Sequence, residues 1–255
     1  MDLGLRGKTA LICAASAGLG RACAMALAQE GVTITITGRN AEILLQTAKE
    51  ISKATGVKVH AAPGDITTPE GKAAALKPNP TPDILITNAG GPPPGDFRTY
   101  TEKMWHDALN ANMLTPIELI KAVIDPMIAK KFGRIVNITS GSVKSTLPNL
   151  GLSSGARTGL TGFIAGLARE VAHHNVAINN LLPGPFNTDR MASLAKSAGR
   201  TLEEELSLRA GQNPAGRVGN PEEFGAACAF LCSTQAGYII GQNFLIDGGL
   251  FNSTM

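Results

Sequence analysis

Short apolar, β-branched runs alternate with longer amphipathic segments from the first residues of the chain to its last. Strands that alternate with helices in this way pair in parallel, because parallel neighbours need a long crossover connection and a helix supplies it. The pattern predicts strands over residues 9–14, 33–37, 58–61, 84–87, 134–138, 177–182 and 243–246. Most are nearly continuous apolar runs, as suits strands covered by helices on both faces. Apolar residues at helical spacing predict helices over 19–30, 41–55, 101–131, 155–173 and 221–232, with a shorter one over 69–76. Pro116 and Pro126 fall inside the longest of these and should kink or split it, since proline removes a helical donor and clashes with the preceding turn.

A chain of 255 residues, 44% hydrophobic, can bury one sizeable core. No long stretch combines low complexity, heavy Pro/Ser/Gly content and lost periodicity, so a single domain over 1–255 is expected. Residues 187–215 have mixed helical propensity, Gly199 and Gly211, and no strand. They read as a mobile excursion over the carboxyl edge of the sheet, where open α/β folds bind ligands. The net charge of +3 is small and its basic residues are scattered, which argues against a nucleic-acid groove or a polybasic membrane patch. No segment reaches the length needed to span a bilayer, so a cytoplasmic location is the default. Cys13, Cys23, Cys228 and Cys232 form neither a CxxC pair nor a cluster with histidine, so reduced thiols and no metal are expected.

The first strand runs into Ala14, Ala15, Ser16, Ala17, Gly18, Leu19 and Gly20, and a helical pattern follows at once. Small residues let a backbone approach a pyrophosphate, and a helix N-terminus offers it unpaired N–H groups and the positive end of a dipole. Glycines in such turns also serve geometry alone, but the flanking strand and helix favour a phosphate ligand. The fold class is therefore α/β: a Rossmann-type, doubly wound parallel sheet of about seven strands with helices on both faces. The second strand ends in Thr37, Gly38, Arg39 and Asn40. An acidic residue here would bond the 2′-hydroxyl of NAD, whereas a nearby arginine accommodates a 2′-phosphate. Gly38 leaves room and Arg39 supplies charge, so NADP(H) is preferred over NAD(H); the alternative is a solvated cation at a strand end.

Gly18-Leu19-Gly20, Asn88-Ala89-Gly90 after the fourth strand, Pro183-Gly184 after the sixth, and the closing run from Gly241 to Asp247-Gly248-Gly249 follow one another in fixed order. With these motifs the sequence resembles the short-chain dehydrogenase/reductases over nearly its whole length, most of all the 3-oxoacyl-acyl-carrier-protein reductases. The resemblance implies roles residue by residue. Ala14, Ser16, Gly18, Leu19 and Gly20 would line the pyrophosphate, and Asp65 with Ile66 would meet the adenine. Asn88, Ala89 and Gly90 would pass beneath the cofactor, while Pro183, Gly184, Phe186 and Thr188 would border the nicotinamide, Thr188 bonding its carboxamide. Asn112 would hold a water of the proton relay, and Ser140 would bond the substrate carbonyl. The resemblance also implies a homotetramer or dimer, formed through the helices predicted over 101–131 and 155–173.

Three positions depart from the family pattern. Ala14 stands where most relatives have the first glycine, a mild change, because alanine is nearly as small and needs only an ordinary φ there. The family's tyrosine lies thirteen residues past the serine, at Ser153, and its lysine four later, at Arg157. A serine hydroxyl is a far weaker acid than a tyrosine, and arginine stays protonated, so neither simply takes over proton transfer. Arg157 can still hold the ribose hydroxyls. Tyr100 and Lys144 are the other candidate acids, each more readily read as a packing tyrosine and a solvated lysine. Leu147, Leu150, Leu152, Phe186 and Met191 suggest a mostly apolar pocket for a small-molecule substrate. Three functions are consistent with these residues: reduction of a carbonyl with an atypical proton relay, an imine or enoyl reductase or isomerase on the same scaffold, and a non-catalytic NADP-binding module.

Overall fold

The computed structural model describes residues 1–253; the last two residues of the expected 1–255 domain lie outside the described residues. Seven strands, β1 (Thr9–Ile12), β2 (Thr33–Gly38), β3 (Val59–Pro63), β4 (Ile84–Thr87), β5 (Gly133–Ile138), β6 (Val176–Pro183) and β7 (Asn243–Ile246), form one sheet in the order β3-β2-β1-β4-β5-β6-β7. Every neighbouring pair is parallel. The order reverses between β1 and β4, and the carboxyl ends of those two strands frame the crevice in which such sheets bind ligands.

Helices cover both faces. The helices are α1 (Gly18–Gln29), α2 (Ala41–Thr55), α3 (Pro69–Leu76), α4 (Glu102–Leu109), α5 (Thr115–Lys130), α6 (Gly151–Val171), α7 (Asp189–Ser197), α8 (Leu202–Gly211) and α9 (Pro221–Cys232). Alternation along β1 divides the core in two: Ala10 and Ile12 join Leu27, Leu44 and Phe224 on one face, while Leu11 and Cys13 join Leu119, Val123 and Ile164 on the other. The four cysteines are free and buried. Cys228 and Cys232 meet Cys23 of α1, and burial pushes the Cys13 thiol up to about 12.

The helix expected over 101–131 is interrupted in the turn before Pro116. A π-turn, Asn110–Leu114, separates α4 from α5. Pro116 follows within two residues, and the wider π-turn falls where its ring and missing N–H would disrupt an ordinary helical turn. Pro126 lies within α5 without ending it. The 187–215 stretch is also more regular than its glycines suggest, holding α7 and α8. Glu205, buried on α8, takes Arg200 at 2.7 Å and Arg209 at 2.8 Å, and these hydrogen bonds hold its carboxyl below the usual range.

Candidate active site at the switch point

β1 gives way to the glycine turn through an unusual backbone step. Ala14 has φ +47°, in the left-handed region, which corrects the expectation of an ordinary φ and explains why the strand stops at Ile12 rather than 14. Hydrogen bonds on both sides hold the step: Ala14 N donates to Thr37 Oγ1 at 3.1 Å, Ala15 N to Thr37 O at 2.9 Å, and Cys13 N to Ile86 O at 2.9 Å. The Ala14 carbonyl accepts from Asn88 Nδ2 at 3.4 Å, joining β1 to β4 across the switch point. A Cβ on Gly20 would overlap that same carbonyl, so α1 can approach only because Gly20 lacks a side chain. Gly18 supplies the second positive φ, +57°.

The N-terminus of α1 has no side-chain cap and no acidic residue in its first turn. Its orphan N–H groups are therefore available to an anion, which is what a dinucleotide pyrophosphate requires. Ser16 faces Gly38, where a Cβ would stand 3.1 Å from Ser16 Oγ. Beside it Arg39 is exposed, with no hydrogen bond or ion pair among the described residues. Asp65, past the end of β3, accepts from Thr67 N at 2.9 Å and Thr67 Oγ1 at 2.8 Å; these bonds, with a smaller contribution from Arg39, hold its carboxyl low. The side chain of Ile66 is buried in the core. A phosphate-bearing dinucleotide thus fits at Gly18, Leu19, Gly20 and Arg39.

At the carboxyl end of β5, Ser140 Oγ accepts from Ser142 N at 3.1 Å, which leaves its own proton free to donate. Asn112 lies in the π-turn, a device common at functional sites. Its Nδ2 donates to Ala108 O at 3.3 Å, while its buried Oδ1 has no protein partner. Ser153 is 7% exposed and its hydroxyl makes no hydrogen bond among the described residues. Arg157, equally buried, donates from Nη1 to Ile138 O and Thr139 O, both at 2.9 Å, and its Nε has no partner. Burial, with a smaller contribution from the nearby Arg190 charge, lowers it to about 10.

Of the two substitute acids, Tyr100 is not placed to act. The Tyr100 hydroxyl lies between the carbonyls of Gly95, at 2.6 Å, and Asn149, at 3.1 Å, so its one proton is committed to the backbone. That ring straps the 91–100 loop to the start of α6, packing against Gly151 and edge-on to Trp105. Lys144 is exposed, its Nζ 5.9 Å from the Phe251 ring.

Gly184 N donates to Ile246 O at 2.8 Å, and a Cβ there would collide with Asp247, so β6 and the closing motif lock together. Thr188 caps α7 without using its side chain, and it approaches Gly18. The pocket-lining role expected of Phe186 is corrected: its ring is buried in the core, edge-on to Phe224 at 5.4 Å. Leu152 and Met191 are buried too, while Leu147 is exposed. Sequence reasoning missed Arg190. Its position was a signal, because a cation in the first turn of a helix opposes the dipole.

Comparisons with known proteins agree with this fold. A family model described as Enoyl-(Acyl carrier protein) reductase matches residues 13–251. The chain is 34% identical over 255 residues to the 3-oxoacyl-[acyl-carrier-protein] reductase of Vibrio cholerae, covering 98% of this chain and 99% of that one. It is equally identical over 257 residues to the corresponding reductase of Aquifex aeolicus, covering 98% and 100%. Among solved structures, the L-sorbose reductase of Gluconobacter frateurii, complexed with NADPH and L-sorbose, superposes with a TM-score of 0.93 at 28% identity, covering 99% and 100%.

Proposed function

The chain belongs to the short-chain dehydrogenase/reductase family, and from that premise we propose that it is an NADPH-dependent reductase of a carbonyl compound whose proton relay works without tyrosine. The observation that carries this reading is Ser140: its oxygen is occupied by Ser142 N, so its proton points the hydroxyl's remaining capacity toward an acceptor such as a substrate carbonyl. The cradle of Gly18, Leu19 and Gly20, with Thr188 beside it, supports a dinucleotide, and the unpartnered Arg39 supports its 2′-phosphate. When bound, that cofactor supplies a hydride to the carbonyl carbon.

The alkoxide formed then needs one proton. Asn112 Oδ1 has a free lone pair to hold a water at the π-turn, and the Ser153 hydroxyl is unbonded and available to relay from it. Arg157 holds cationic charge over the end of β5 and stabilises negative charge there. Consumption of NADPH with ketones, reduced about a hundredfold by Ser140→Ala, tests the reading. No turnover across a broad ketone panel would overturn it.

A second reading draws on Ser153 itself. A site without a strong acid suits a C=C or C=N substrate, whose reduction forms no alkoxide. Turnover of activated alkenes or imines with none of ketones would favour it.

The exposed Phe163 on α6 and Leu114 beside α5 support assembly through those helices, and we infer a homotetramer in the cytoplasm. Light scattering that gives a monomer would overturn the assembly. The stretch carrying α7 and α8 would close over substrate, which gained hydrogen-exchange protection on binding would report.

A further inference from the structure

Two guanidinium groups converge beside Gly91 with nothing to balance them. Arg190 Nη2 and Arg157 Nη2 lie 3.4 and 3.9 Å from the point that a Cβ on Gly91 would occupy. Neither arginine forms an ion pair with a carboxylate among the described residues, and the Arg190 side chain has no hydrogen bond there either. Like charges held this close repel unless an anion sits between them.

The Arg157 fork is half used. Both Nη1 hydrogens go to the carbonyls of Ile138 and Thr139, which fixes the plane of the group. Nε, more than nine-tenths buried with its residue, has no partner, and Nη2 on the same edge is unbonded as well. An Nε/Nη2 edge of this kind is the geometry that accepts a carboxylate in two parallel hydrogen bonds. A neutral ribose hydroxyl would leave both positive charges unbalanced, and the pyrophosphate already has the open end of α1.

We propose that Arg157 and Arg190 form a carboxylate-binding site beside Gly91, so that the substrate is a small oxo acid held by its anionic end. This rests on the reductase reading, and it names the substrate class of that site. Arg157 is the fixed wall. Arg190, exposed on the first turn of α7, is the facing wall, carried by the α7–α8 stretch.

The test is calorimetric titration of the full-length protein, with and without NADPH, using acetoacetate against methyl acetoacetate and pyruvate against methyl pyruvate. At least one acid should bind roughly tenfold or more tightly than its ester, as one charge-assisted hydrogen bond suffices to give. Arg190→Gln, at an exposed position that leaves the core intact, should abolish the preference while the NADPH affinity stays within about twofold. Equal binding of acid and ester in both pairs, or no binding of any probe, overturns the proposal. So does a loss of about tenfold or more in NADPH affinity in Arg190→Gln, which would assign the pair to the cofactor's phosphates. Failure of NADPH to bind the wild-type protein would instead sink the reductase reading, and the titrations without cofactor would still read the arginine pair.

Discussion

Thr87 Oγ1 donates to Asn137 Oδ1 at 2.7 Å, inside the sheet and away from water. The amide passes the chain on, Asn137 Nδ2 donating to Asn180 Oδ1 at 3.1 Å and Asn180 Nδ2 to Asn243 Oδ1 at 2.9 Å. These four residues are register partners on β4, β5, β6 and β7, so one directional ladder crosses the sheet at a right angle to its strands. Its β5 member, Asn137, lies three residues before Ser140. Asn137→Ala should leave both buried partners unsatisfied, at about 1–3 kcal/mol each. We expect Tm to fall by roughly 5–15 °C, at 2–4 °C per kcal/mol for a chain of this size. A change of less than about 2 °C in a thermal melt would show that the ladder relaxes around the loss.

The left-handed Ala14 should be improved by glycine. A left-handed non-glycine residue costs roughly 1–2 kcal/mol, against which glycine loses about 0.5–1 kcal/mol of chain entropy. Ala14→Gly is therefore expected to raise Tm by about 1–4 °C without weakening cofactor binding. A lower Tm would mean that the Thr37 hydrogen bonds hold Ala14 without strain.

Much of this was legible in the sequence, and the exceptions have physical causes. Strands β4 and β7 and helices α2, α3 and α9 have the predicted bounds, because each is bracketed by a strong local signal such as the N-cap Asn40 or a proline in the first turn of α3 and α9. The glycine turn and Asn88 were recognisable as motifs. The φ of Ala14 was not, since it is imposed by Thr37 from a neighbouring strand 23 residues away. The π-turn at Asn112 was hidden inside a continuous helical pattern, and Phe186 was misplaced because apolar character does not distinguish a pocket wall from a core. Arg190 meets Arg157 only through the fold.

The cofactor preference should reside in Arg39. A charge-assisted hydrogen bond to a phosphate is worth about 1.5–3 kcal/mol, or roughly 10- to 100-fold in affinity. Arg39→Ala should weaken NADPH by that factor in a fluorescence titration and leave NADH nearly unchanged. Equal losses for both cofactors would indicate that Arg39 serves the turn rather than the 2′-phosphate. Gly20→Ala offers a contrast, because its methyl would overlap the Ala14 carbonyl and should weaken both cofactors together.

Acid should loosen the junction between α8 and α9 before it reaches the core. Glu223 Oε1 and Oε2 take Arg217 at 2.6 and 2.7 Å, and Oε2 also accepts from Asn220 N at 2.8 Å. The Arg217 hydrogen bonds, then that of Asn220, lower its carboxyl from 4.5 to about 2. A folded value below the unfolded one means that the unfolded chain binds more protons in between. The stabilisation is therefore complete above about pH 4.5 and is lost as pH falls toward 2. Glu223→Gln should lower Tm slightly at pH 7, since the pair is exposed and screened, and the gap to wild type should close over that window. An unchanged gap at about pH 2.5 would place the contribution of Glu223 in its neutral hydrogen bonding to the helix cap rather than in its charge.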